Sequence, residues 1–256
     1  MARPAQAPEA DEDHVKPYVH LSATTRALHF SISEIQSRMA LRDPVALDLA
    51  YTRTMMGFLL LLPAPRRIAM VGLGGGSLVK FCHHHLRAAC IEVAEINPHV
   101  IALRDEFCVP PDDPRLRVLQ ADGADFVRSA APGVDVILVD GFSSMGQPAR
   151  LCSQRFYDDC AELLQPEGVL VVNLHAAHPH HDLHLARIER SFGGAALVVD
   201  GGDLSNNIVF AGSGRALDKH RAGPVRRPKG LAPTAAAELA GAFARVSRAL
   251  REWRSA

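Results

Sequence analysis

Four short stretches of this 256-residue chain carry residue types suited to binding and transforming a charged nucleoside. Gly72-Leu73-Gly74-Gly75-Gly76-Ser77 is a glycine loop. Residues without a Cβ let the backbone turn sharply and approach a ligand, and a helix that follows offers free N–H groups. Glu95 stands 23 residues after Gly72, where an acid can accept hydrogen bonds from both ribose hydroxyls. Asp122-Gly123 offers a second acid, suited to a base or amine edge. Asp140-Gly141-Phe142 offers a third, followed by a turn. An acid at a strand end often simply N-caps the next helix, and for Asp122 both roles stay open. Three carboxylates on one rim repel one another unless a cation or several hydroxyl and amino donors lie among them. A ribose, an adenine amino group and a positive centre meet that need. S-adenosylmethionine and its relatives have all three.

Such a rim needs a sheet to carry it. Apolar runs at Arg67–Val71, Ala89–Ala94, Arg115–Gln120, Val134–Val139 and Val169–Leu174 read as strands. Helical segments separate them at Ser77–Leu86, Pro98–Phe107, Ala124–Ala130 and Ser153–Leu164, and His181–Phe192 follows the last. Buried runs of four to eight residues alternating with helices predict a parallel sheet covered on both faces. Ala195–Val199 and Asn207–Ala211 lack a helix between them and predict an antiparallel hairpin at the sheet edge. The expected fold is therefore α/β: a Rossmann-like, seven-stranded, mainly parallel sheet with a C-terminal antiparallel hairpin. A small N-terminal β region precedes it. In such sheets ligands bind beyond the carboxyl ends of the strands, where the strand order reverses. The glycine loop, Glu95, Asp122 and Asp140 all fall at strand ends.

Four segments follow. Residues 1–14 are an acidic, Pro/Ala-rich arm expected to be disordered, and 15–62 hold the β region and a lead-in helix over Asp48–Leu62. Residues 63–212 form the nucleoside-binding domain. Residues 213–256 are a basic linker and a helix, which uses Leu239, Phe243, Val246, Leu250 and Trp253 to dock on the body or on a second subunit of a homodimer.

Composition excludes other classes. The 28 Lys/Arg balance 28 Asp/Glu, whereas a general nucleic-acid binder needs a basic excess to release counterions. The longest apolar run, Met55–Leu62, is far short of the roughly 20 residues of a membrane span. Five cysteines without a CxxC pair argue against a disulfide framework or zinc ribbon and for a reducing cytoplasm.

The stretch from IAMVGLGGGSL through IEVAEINPHVIAL and DDPRLRVLQADGADFV to VDVILVDGFSSMGQPARLCSQRFYDDCAELLQPEGVLVVNL resembles the spermidine synthase (polyamine aminopropyltransferase) family. That resemblance implies a class I methyltransferase fold and a co-substrate, S-adenosylmethionine or its decarboxylated form, with no metal. Gly72, Gly74, Gly75 and Gly76 would meet the methionine-derived part, Glu95 the ribose, and Asp122 with Gly123 the adenine. Asp140 would be the catalytic acid/base toward a small amine acceptor, whose pocket takes in Ser143 and His175. Two departures stand out. Gly74 occupies the place of a loop aspartate that binds the donor's amino group, and Ser143 that of a second aspartate that grips the polyamine. The chain thus keeps the nucleoside-binding acids and lacks two that meet cationic amines. It is expected to be a poor putrescine-using spermidine synthase. Two other readings compete: a non-catalytic nucleoside-binding homologue, and an NAD-dependent dehydrogenase, whose fingerprint fails at Ser77. The histidines after Asn173 show no metal-ligand spacing.

Overall fold

The computed structural model describes residues 14–30, 35–142, 146–203, 205–212, 216–217, 228 and 230–255. Near the N-terminus, β1 (Tyr18–Leu21), β2 (Thr25–His29) and β3 (Ile35–Ala40) form a three-stranded antiparallel sheet. The Ser22 hydroxyl accepts from the Thr25 N–H at 2.9 Å and closes the first turn. The lead-in segment is shorter than the periodicity suggests. Helix α1 spans Ala50–Met55 and tightens into a 3₁₀ turn over Met56–Leu60. Gly57 lies in that turn, and a Cβ there would come within 2.6 Å of Val246. The missing side chain lets the turn pack directly under the C-terminal helix.

The large sheet has seven strands: β4 (Arg67–Val71), β5 (Cys90–Glu95), β6 (Leu116–Gln120), β7 (Val134–Val139), β8 (Leu164–His175), β9 (Ala196–Asp200) and β10 (Asn206–Gly212). Their spatial order is β6-β5-β4-β7-β8-β10-β9. Pairings among β4 to β8 are parallel, and β10 runs antiparallel to both β8 and β9. The hairpin is thus present, with its second strand threaded inward so that β9 forms the edge. All six residues of β7 are buried. Its one acid, Asp135, is satisfied by the backbone N–H groups of Arg66 and Arg67 at 2.6 and 2.8 Å. It locks the start of β4 to β7.

Successive side chains on these strands serve opposite faces. Ile68 and Met70 join one core with α2 (Ser77–His85), while Ala69 and Val71 join the other with α4 (Gly123–Ser129), α5 (Gln154–Leu163) and α6 (His181–Ser191). Helix α3 covers only Pro98–Ile101, not the run to Phe107 that the sequence suggests. The chain beyond it winds into turns ending at Cys108, whose φ of +54° no continuing helix accepts. Lys80 of α2, buried, donates to the Phe107 carbonyl at 2.7 Å and fixes that exit.

Two last helices, α7 (Pro233–Glu238) and α8 (Ala240–Ser255), close the first core. Leu239, Phe243, Val246 and Leu250 are all buried there, against α1, the 3₁₀ turn and β9. The helix docks on the body of its own chain. No helix among the described residues is long and apolar enough to cross a membrane. Truncating Leu250, 1% exposed, should cost about 2–4 kcal/mol of stability if this helix is part of the core. A urea midpoint in Leu250→Ala equal to that of the parent would show it to be an appendage.

Candidate active site

The order in which successive strands are laid down reverses between the parallel neighbours β4 and β7, and their carboxyl ends open into a cavity of about 740 Å³. Hydrogen bonds tie these strand ends together: the Asp140 N–H donates to the Val71 carbonyl at 2.9 Å and joins β7 to β4, and the Gly72 N–H donates to the Ala94 carbonyl at 2.9 Å and joins β4 to β5. Gly72 has φ +95°, and a Cβ on it would sit 2.4 Å from the Asp140 carbonyl oxygen. Only glycine fits. Gly74, at φ +51°, also lines the cavity and faces Ser37 of β3, with room for a Cβ 3.6 Å from that side chain. Gly75 and Gly76 are placed differently. Neither lines the cavity. A Cβ on Gly75 would strike Ser37 and Phe107, and one on Gly76 would strike Val109, so these glycines serve packing.

Glu95, ending β5, is 8% exposed and tied to the loop. Its Oε2 accepts from the Leu73 N–H at 2.8 Å and its Oε1 from the Asn97 N–H at 2.9 Å. Burial pushes its pKa up, and those N–H groups pull it back. Asp122 is the N-cap of α4, its Oδ1 accepting from Ala124 and Asp125, while Oδ2 pairs with Arg150 at 2.8 Å. The capping role is therefore realised on one oxygen, and the other carries a guanidinium; both Asp122 and Arg150 line the cavity. Gly123 lines the same region.

Asp140 is half-buried and lines the cavity. Its Oδ1 accepts from the Asn173 side-chain amide at 2.8 Å and its Oδ2 from the Tyr51 hydroxyl at 3.1 Å. Desolvation raises its pKa, and the two donors oppose that rise. Tyr51 is held well above its usual value by burial first and then by the Asp140 charge, so it stays a donor. His175, at the end of β8, and Asp203, between β9 and β10, line the same end of the cavity. Ser143 lies outside the described residues.

Three contributors escaped the sequence reading. Tyr51 arrives from a helix 89 positions upstream of its partner, and nothing in its own spacing marks it. Asp203 sits in a Gly/Asp/Ser loop that reads as a turn. Asn173 did leave a trace: a polar residue inside the apolar run VVNL, buried to 2% exposure, is the kind of exception that signals function. The histidines form a separate patch. Rings of His178, His180 and His184 lie 5.1–6.4 Å apart, and burial together with its charged neighbours pushes His184 down to about 4. Among the described residues no group of three His, Cys, Asp or Glu is arranged to hold a metal ion.

A mainly parallel sheet with this strand order, a glycine loop at its switch point and acids on the neighbouring strand ends make a nucleoside-binding fold, and the relatives that share it make the chain a transferase with an S-adenosylmethionine-type donor. Residues 48–196 match the spermine/spermidine synthase domain model. The polyamine aminopropyltransferase of Chromobacterium violaceum is 36% identical over 198 residues, 76% of each chain. The human eEF1A lysine and N-terminal methyltransferase is 35% identical over 127 residues, 45% of this chain and 18% of that one. Human methyltransferase-like protein 13, solved in complex with SAH, superposes with a TM-score of 0.56 at 28% identity, covering 78% of this chain and 89% of that one. The chain belongs to the spermine/spermidine synthase family.

Because Glu95 accepts two buried backbone N–H groups, Glu95→Gln must turn an amide N–H toward one of them. The expected loss is about 1–3 kcal/mol of stability, the usual cost of an unsatisfied buried donor. An unfolding free energy equal to that of the parent in urea would show that Glu95 does not brace the loop.

Proposed function

We propose that the chain transfers an alkyl group from S-adenosylmethionine to an amine acceptor, with Asp140 as the base. The observation that carries this reading is the Asp140 carboxylate, held by Asn173 and Tyr51 beside the glycine loop at the sheet's switch point. A free amine with a pKa near about 10 is mostly cationic at neutral pH and must lose a proton before it can attack. Asp140 accepts that proton, and its raised pKa suits the task. The amine lone pair then forms a bond to the carbon next to sulfur. The C–S bond breaks with its electrons passing to sulfur, leaving a neutral thioether nucleoside. The rest of the site serves alignment.

Glu95 takes the ribose, and Asp122 takes the adenine amino group through Oδ2, which Arg150 must first vacate. Gly74 supports the intact donor over the decarboxylated one. No carboxylate stands there to pair with the ammonium or repel the donor's carboxylate, and the neighbouring Ser37 is neutral. Family membership leaves no role for the dehydrogenase reading, and the five free cysteines fit a cytoplasmic setting.

Turnover of putrescine with decarboxylated donor, set beside intact donor with a panel of amines, tests the reading. Spermidine formation at kcat/KM near about 10⁴ M⁻¹s⁻¹ would overturn the donor assignment. Binding of S-adenosylmethionine without any product would support the non-catalytic alternative. Asp140→Asn should lower turnover by about 10²–10⁴-fold while calorimetry shows donor affinity nearly unchanged. Gly74→Asp offers a complementary test, because aspartate tolerates a φ near +51° better than most residues and its Cβ finds open contact. It should move the donor preference toward the decarboxylated form by roughly 10–100-fold, the worth of one charge-assisted hydrogen bond. An unmoved preference would remove Gly74 from donor selection.

A further inference from the structure

A line of side-chain hydrogen bonds extends beyond Asp140. Asn173, whose Nδ2 donates to Asp140 Oδ1, receives at its own Oδ1 a bond from Asn206 Nδ2 at 2.8 Å. Asn173 pairs with Ile208 across β8 and β10, so Asn206, two residues earlier, is its diagonal neighbour on the same face. The main chain of both residues is pinned. The Asn173 carbonyl accepts from Gln147 Nε2 at 2.7 Å, and the Asn206 carbonyl accepts from the Gly201 N–H at 2.7 Å.

A carboxamide presents a donor on one side and an acceptor on the other, and a half-turn exchanges them. With its NH₂ toward Asp140, Asn173 bonds the ionised carboxylate. With its oxygen there, it can bond only a protonated Asp140. From the structure we infer that Asn206 is a positioning residue: by donating to Asn173 Oδ1 it keeps the amide's N–H side facing Asp140. This deepens the proposed function, since it bears on the group assigned there as base, but its test does not require turnover. Losing Asn206 frees the amide to turn, so protonated Asp140 gains a partner and the carboxyl holds its proton to higher pH. The other described ionisable groups around the cavity stay in place: His14 ahead of β1, Tyr51 from α1, Glu95 from β5, Asp122 with Arg150, His175 at the end of β8, and Asp203.

The experiment follows the Asp140 carboxyl by ¹³C NMR titration of aspartate-labelled protein, the resonance being assigned by its loss in Asp140→Asn. In Asn206→Ala the midpoint should rise by about half to one pH unit, and the same substitution in an Asn173→Ala background should add nothing. An unmoved midpoint overturns the inference, as does an equal rise when Asn173 is already absent. If the smaller side chain loosens β10, the isosteric Asn206→Asp replaces it. It draws the Asn173 N–H away from Asp140, so its rise must exceed the residual charge effect left in the Asn173→Ala background. Where turnover is measured, the ratio of variant to parental rate should fall toward acid pH and return to within about twofold on the alkaline plateau. A loss equal at every pH overturns the inference. A midpoint shift in a protein that alkylates no amine sustains it and sinks the alkyl-transfer reading alone.

Discussion

The contact between the ends of β4 and β7 governs this molecule. Gly72 and Asp140 directly follow strands 67–71 and 134–139, and their backbones approach until a single added methyl group would overlap a carbonyl oxygen. That approach fixes the distance between the loop that would carry the sulfonium donor and the carboxylate that would face the acceptor. Asp135, at the opposite end of the same strand pair, clamps the start of β4 through two backbone N–H groups. Register is therefore set at both ends of the pair, and the site inherits its geometry from the core.

Each acid on the rim solves the problem of its burial differently. Glu95 is satisfied by main-chain donors and acts as a brace for the glycine loop. Asp122 is divided between a helix cap and an arginine. Asp140 has only neutral donors, Asn173 and Tyr51, and no cation among its described hydrogen-bond partners. A buried carboxylate without a counter-ion keeps an appetite for protons that a salt-bridged one loses. The same environment that makes Asp140 costly to ionise is what the base proposed for this site requires.

Much of this was legible in the sequence because local rules dominate there. The short apolar runs gave the parallel strands, and the acids that matter stand directly after those runs, where the fold exposes strand ends. The glycine loop was visible, but which of its glycines line the cavity and which pack against Phe107, Val109 and Ser37 was not, because those neighbours' positions arise from packing. The two ends of Asp140's hydrogen-bond set come from residues 51 and 173, one before the sheet and one inside its fifth strand in sequence. No local pattern links them. The insertion of β10 between β8 and β9 was equally hidden, because a hairpin reads the same whichever of its strands takes the inner place.

The C-terminal helix carries a consequence for how the protein is made. Arg245 of α8 donates to the Thr54 hydroxyl at 2.7 Å, and Thr54 in turn holds the Gly201 carbonyl at 2.9 Å, beside the loop that bears Asp203. Residues 239–250 leave the ribosome after every strand of the sheet, so a nascent chain displays an uncovered apolar face over α1 and β9 until they arrive. During synthesis, closure of the core and bracing of this cavity wall are a single late event. Proteases and chaperones would meet an incomplete catalyst as an incomplete fold.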